Sequence, residues 1–354
     1  MRTLELSGTP GERGRQHGQG AARDLRRLRQ ALLRYLARLS FYGGALPCYA
    51  ILTFLARGFW PFIPPRLQEE MRGVAAGAHV GLGTVLLINV LDDLGNNSPR
   101  CSALAAGGER TAQGRWLMGR NLDYPLFINE MIRFQTLFLM EPDQGLPVAS
   151  IAWPGYVGVC TGINKAGVAL AQLSAMSRDR TLRGAPAALR FRQALETEAT
   201  LTGAAARILT ARGTMGNNLM LCAPGEAAVL ELSARRGFLR LPQEGLITVT
   251  NHYQSAAMAP LKGKFPPRPP HSPLSDYHFT EAYSRARNRR LNELAGGRRL
   301  GPEGIQNILA APHIANPGTA ICTVFDPAEL TLWTSQAPAA PVSRGPFAQI
   351  RLWG

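Results

Sequence analysis

The chain has 354 residues, enough for one large domain or two ordinary ones. Hydrophobic residues make up 45% and charged residues 18%, which excludes a disordered chain. The formal charge is +15 and almost all arginine, since lysine stands only at Lys165, Lys262 and Lys264. Either the composition is simply rich in Arg and Ala, or the surface is basic for an anionic partner; no nucleic-acid motif accompanies it.

Residues 2–7 alternate as a strand. Gly8 to Gly14 reads as a turn into a helix over 15–40, with Leu25, Leu28, Leu32, Leu33 and Leu36 on one face and arginines opposite. Residues 41–65 are the most apolar of the chain, but Pro47, Arg57 and Pro61 leave no run long enough to span a bilayer. They form either a core helix with an apolar loop, or an aromatic surface that borders a lipid-binding cleft or touches a membrane interface. An amphipathic helix over 66–82 and an apolar one over 84–92 follow. Asp92 to Arg100 is polar and turn-rich, as expected of a loop entering a processing site.

Beyond Cys101 the pattern changes to strands, at 102–107, 115–121, 132–140, 147–153, 156–163 and 167–174. Helices are expected at 185–196 and 201–212, then strands at 217–223, 227–232, 236–241 and 246–250. The Pro-rich stretch 255–276 reads as a surface loop over the site. Helices at 277–295 and 302–311 and strands at 319–325, 329–334 and 346–352 complete the chain. This order does not alternate as βαβα would. It predicts an α+β fold, two antiparallel sheets packed face to face with helices outside, a four-layer αββα sandwich.

The five cysteines are Cys48, Cys101, Cys160, Cys222 and Cys322, an odd number without CxxC spacing, so neither a disulfide framework nor a zinc knuckle is indicated. Residues 1–8 carry no apolar signal core, which sets the expectation of a cytoplasmic protein, with peripheral membrane contact through 41–65 as the sharper alternative.

Cys101 opens a strand. Taken alone it is either an inert core thiol or a nucleophile. If the chain is cut before it, its own α-amine, with a pKa of about 8, lies beside the sulfur and serves as base, so no histidine is needed. Gly119-Arg120-Asn121-Leu122-Asp123-Tyr124 ends the next strand. Arg120 and Asp123 form either a hairpin-end salt bridge or a site in which Arg120 favours the thiolate and Asp123 holds the α-ammonium. Asn251, in Thr250-Asn251-His252-Tyr253, is either a turn former or an oxyanion donor.

These motifs, with Asn164-Lys165-Ala166-Gly167, Gly8 to Gly14 and Glu69 to Gly77, resemble in order and spacing the N-terminal-nucleophile (Ntn) hydrolases of the acyl-coenzyme A:6-aminopenicillanic acid acyltransferase family, relatives of choloylglycine hydrolases and acid ceramidases. The resemblance covers nearly the whole chain. It implies the Ntn-hydrolase fold, with a mainly helical segment 1–100 released by self-cleavage between Arg100 and Cys101, and a catalytic domain 101–354. It implies Cys101 as nucleophile, Arg120 and Asp123 flanking it, Asn251 in the oxyanion hole and a second oxyanion donor near Ser174. A late arginine completes the site, best matched by Arg285, with Arg287 and Arg268 as competitors. Tyr124, Trp153 and His252 are expected to touch substrate. The expected reaction is amide hydrolysis of a lipid-like N-acyl substrate through a thioester. Acyl-coenzyme A-dependent transfer to an amine, or a scaffold that only binds lipid or a partner, are the alternatives. The two fragments are expected to stay associated, and neither metal nor organic cofactor is implied.

Overall fold

A computed structural model describes residues 1–39, 44–95 and 100–353. Strand β1 (Arg2–Gly8) is followed by helices α1 (Pro10–Leu39), α2 (Ala45–Arg57), α3 (Pro65–Ala78) and α4 (Leu82–Gly95). A hairpin follows, β2 (Ser102–Gly108) and β3 (Gly114–Asp123), and then a short helix α5 (Ile128–Arg133). Strands β4 (Thr136–Pro142), β5 (Val148–Ala152), β6 (Thr161–Asn164) and β7 (Ala169–Ser174) lead to helices α6 (Ala187–Thr197) and α7 (Leu201–Thr210). Next come β8 (Asn217–Ala223), β9 (Glu226–Leu232), β10 (Gly237–Arg240) and β11 (Leu246–Val249), then α8 (Glu281–Ala295) and α9 (Pro302–Ala310). Strands β12 (Thr319–Asp326), β13 (Thr331–Ser335) and β14 (Phe347–Arg351) close the chain.

Among the described residues the strands form two sheets, ordered β1-β4-β5-β6-β7-β8-β9-β10 and β11-β2-β3-β12-β13-β14. All pairings are antiparallel except β1 with β4. Side-chain parity makes the layers. Cys101, Ala103 and Ala105, with Met118 and Leu122, point into the core between the sheets, while Leu104, Ala106 and Leu117 pack outward with residues of α8 and α9. Helices α6 and α7 cover the other sheet. The fold is thus the expected αββα sandwich, and α1 to α4 add a helical cluster with its own core around Leu25, Phe59, Met71 and Val90.

Three local expectations change. Gly11 and Gly14 lie inside α1, not in a turn. Thr9 and Glu12 start this helix with reciprocal hydrogen bonds. The glycines instead allow backbone contact with α3: a Cβ at Gly14 would stand 2.9 Å from Gly73 Cα, and one at Gly73 2.6 Å from Gly11 O. The strand expected over 132–140 begins only at Thr136. Ile128, Met131 and Ile132 have helical spacing and form α5. The strand expected over 156–163 pairs only from Thr161, because Pro154 and Gly155 (φ +85°) break the backbone ahead of it. The centre of the expected processing loop, 96–99, and residues 41–43 of the apolar stretch lie outside the described residues.

Candidate active site

Register places the site. Ala103 pairs with Arg120 and Ser102 with Asn121, so Cys101 and Arg120 both face the space between the sheets. Arg120 is buried and spans that space. Its Nη2 donates to Cys101 Sγ (3.2 Å) and to the backbone O of Gln172 (3.1 Å), and its Nη1 donates to Cys160 O (3.1 Å) and to Thr161 Oγ1. Asn121, one residue on, points the other way and donates to Leu309 O (2.8 Å), docking α9.

Asp123 ends β3. Asn316 Nδ2 donates to its Oδ2 (2.6 Å), while its buried Oδ1 has no hydrogen-bond partner among the described residues. The Arg100 N–H donates to Asp123 O (2.9 Å), which fixes the chain immediately before the thiol.

The late arginine beside the thiol is Arg287, not Arg285. Arg287 Nη1 donates to Arg100 O (2.6 Å), Cys101 O (2.6 Å) and Ser102 Oγ (2.8 Å), and its Nη2 donates to Asn251 Oδ1 (2.8 Å). Arg285 lies on the surface, paired with Glu281 four residues earlier (2.7 Å), and Arg268 is paired at the surface with Asp276 (3.1 Å). The reason is helical phase. Two residues turn a helix by about 200°, so Arg285 and Arg287 cannot share a face. Arg287 lies with Tyr283 and Leu291 on the buried face of α8, a spacing of four that was readable in the sequence.

Asn251 sits just beyond β11. Its N–H donates to Ser284 Oγ (2.9 Å) and its Nδ2 donates to Ser174 O (2.8 Å) at the end of β7. Arg120 and Asn251 therefore bind neighbouring carbonyls of β7 from opposite ends of the site. Ser174 Oγ is buried without a partner among the described residues. His252 does not join this group. Its Nδ1 is held at Ser284 Oγ (2.8 Å), and burial, helped by Arg285, lowers its pKa to about 4, which keeps it neutral.

Burial governs the charges. It pushes the Cys101 thiol up to about 11, with Arg120 opposing and Asp123 adding to the rise. Arg120 favours the thiolate, but desolvation outweighs it in this chain. Burial also raises Asp123 to about 6, against the pull of Arg287. Arg100 is fully buried, with its guanidinium over Phe279 (4.2 Å) and Phe265 (5.6 Å). Among the described residues its Nε, Nη1 and Nη2 have no hydrogen-bond partner, and burial with repulsion from Arg287 lowers it to about 9.

An apolar cavity adjoins the site at Cys160, Gln172 and Ser174 and is walled by Tyr124 and Trp153. Tyr124 donates from its OH to Asp92 Oδ1 (2.9 Å) and Trp153 Nε1 donates to Met131 O (2.7 Å). Among the described residues no cluster of three or more His, Cys, Asp or Glu could hold a metal ion. Sequence reasoning missed Ser102, Thr161, Gln172 and Asn316. Each is a common polar residue that gains meaning only from a partner far along the chain.

The fold thus brings a thiol, two arginines and a buried carboxylate together in the core of an αββα sandwich. The chain belongs to the acyl-coenzyme A:6-aminopenicillanic acid acyl-transferase family, whose profile matches residues 110–293. Arg120, Asp123, Asn251 and Arg287 lie inside that match, and Cys101 lies before it. An uncharacterised protein of Archaeoglobus fulgidus is 28% identical over 47% of this chain, which spans only 32% of that relative's length. The chain likewise spans 42% of protein dcd1A of Dictyostelium discoideum, at 24% identity over 46% of its own length. Among solved structures, the Caenorhabditis elegans orthologue of N-acylethanolamine-hydrolyzing acid amidase aligns with 64% of this chain and 93% of its own (14% identity, TM-score 0.47). A mutant of the conjugated bile acid hydrolase from Clostridium perfringens aligns with 71% of this chain and 92% of its own (13% identity, TM-score 0.47).

Proposed function

We propose that this chain is a cysteine amidase made active by cutting itself between Arg100 and Cys101. The observation that carries the reading is the Arg100–Cys101 peptide itself. Its carbonyl oxygen accepts from Arg287 (2.6 Å), its thiol accepts from Arg120 (3.2 Å), and Asp123 beside it keeps one oxygen unpartnered. Cys101 Sγ attacks the Arg100 carbonyl carbon, and Arg287 stabilises the charge gathering on the oxygen. The C–N bond breaks, the leaving nitrogen takes from solvent a proton in place of the one the thiol gave up, and a thioester remains. Water then cleaves the thioester, leaving an Arg100 carboxylate and a Cys101 with a free α-amine. Once protonated, that amine is a donor for Asp123 Oδ1.

In the cut enzyme the same thiol attacks a substrate amide. The α-amine takes the thiol proton and passes it to the leaving amine, and Asn251 with the Ser174 region supports the oxyanion. The acyl group enters the apolar cavity, and water completes hydrolysis. The family's name motivates a second reading, in which an acceptor amine takes the acyl group instead; product analysis with and without that amine separates the two. The membrane surface is proposed as the substrate source. In α2, Leu46 and Phe54 are 71% and 70% exposed, while Tyr49 of the same helix lines the cavity. Among the described residues no helix is long and apolar enough to cross a membrane.

Intact-mass measurement tests the central step. Wild-type protein is expected as two pieces, 1–100 and 101–354, and the Cys101→Ala protein as one. A Cys101→Ala protein that still divides, or an uncut wild type that hydrolyses amides, refutes the reading.

A further inference from the structure

The cavity wall is not uniformly apolar. Leucines of α1 and α4 and the rings of Tyr124, Trp153 and Tyr156 supply most of it, and among its polar residues, which include Arg29, Asn89, Asp93 and Ser174, two acceptors stand out. The first is Asp92, in the last turn of α4. Its Oδ1 accepts from Tyr124 OH (2.9 Å), whereas its Oδ2 accepts no hydrogen bond among the described residues. The neighbouring charge that acts on Asp92 is Asp93, and burial raises the carboxyl to about 7; Arg29 also lines the cavity but forms no ion pair with Asp92 among the described residues. The second acceptor is Gln172, only 8% exposed. Its Nε2 is engaged by Asn217 Oδ1 (2.9 Å), and its Oε1 has no partner. The backbone O of Gln172 shares Arg120 Nη2 with Cys101 Sγ, which sets this residue one arginine away from the thiol.

A plain hydrocarbon chain filling such a cavity would remove water from Asp92 and leave Gln172 Oε1, already buried, unsatisfied. A chain bearing a hydroxyl or a protonated amine would satisfy them, and the aromatic walls suit an amine as well. We propose that the cavity selects an apolar acyl group carrying a hydrogen-bond donor remote from its carbonyl, with Asp92 and Gln172 as the residues that determine this specificity. The inference rests on the reading above that the acyl half of the substrate occupies the cavity.

Binding of free acids tests it without requiring turnover. Wild-type protein is titrated calorimetrically with straight-chain acids of about six to twelve carbons, each as the plain, the terminal-hydroxy and the terminal-amino form. At one chain length or more, a donor-bearing acid is expected to bind at least about tenfold tighter than the plain acid, equivalent to about 1.4 kcal/mol. Asp92→Asn is expected to abolish the amine's advantage, and Gln172→Met to reduce that of whichever donor binds best. Melting curves of both variants confirm that they fold. Equal binding of all three forms at every length overturns the inference, as does a preference that survives both substitutions. A protein that selects donor-bearing acids yet cleaves no amide refutes the amidase reading alone. One that cleaves plain acyl amides without preference refutes only the specificity.

Discussion

At the scale of single residues, burial holds the Cys101 thiol in its neutral form. Only the thiolate attacks, and with the Cys101 thiol near 11 the thiolate fraction rises about tenfold per pH unit through neutrality. Self-cleavage of freshly refolded precursor is therefore expected to accelerate with a log-rate slope of about one between pH 7 and 9. A flat profile on a timed gel would contradict a rate-limiting thiol attack. Arg287→Lys removes the planar fork that grips two carbonyls and is expected to slow cleavage by about a hundredfold, the loss typical of one oxyanion donor. Arg285→Ala, which breaks only a surface pair, should cleave at the wild-type rate. Arg100 is a third lever. Three buried nitrogens without partners make it a costly residue, so in the Cys101→Ala background Arg100→Met should raise stability by about 1–4 kcal/mol in urea titration. A lower stability would mean that the two phenylalanine rings compensate the charge. The strand residues of this site were legible because a period of two fixes which face they share. Arg287 was legible in principle from its spacing to Leu291, but motif matching favoured the wrong member of the pair. Asn316 and Ser102 were not legible, because their partners lie almost 200 residues away.

At the scale of elements, helical and strand periods gave nearly every boundary after Cys101, and they failed where glycine had two meanings. Gly11 and Gly14 of α1 read as turn formers in the sequence, yet with Gly73 of α3 they serve close packing of two helices. Composition cannot separate these uses; only the facing helix can. Gly14→Val should overpack this crossing and cost about 1–3 kcal/mol or more, measured as a lowered melting temperature. The same crossing buries Arg13 against Glu70 (2.8 Å), close to Arg192 and Glu196 of α6, so its distortion would be felt beyond the helices. The exposed face of α2 belongs to a different argument. Leu46→Ser with Phe54→Ser should weaken co-sedimentation with anionic lipid vesicles while leaving the melting temperature nearly unchanged. Unaltered sedimentation would remove the membrane from the proposal.

At the scale of the whole molecule, the segment ahead of Cys101 is not an appendage. Strand β1 completes the edge of the larger sheet beside β4, α1 packs on that sheet, and α4 packs on α6. Cutting after Arg100 would leave these contacts in place, which supports lasting association of the pieces. It would nevertheless change the order of the folding reaction. An uncut chain folds by a first-order process, with β1 tethered to its partner strand. Two separate pieces must first collide, and each would meet water with the apolar surface the other had covered. Refolding of Cys101→Ala protein from urea should then give a yield independent of concentration. Refolding of the cut enzyme should depend on it, poor when dilute because the pieces seldom meet. In that sense the molecule would be assembled once, as a single thread, and kept afterwards only by the slowness of its coming apart.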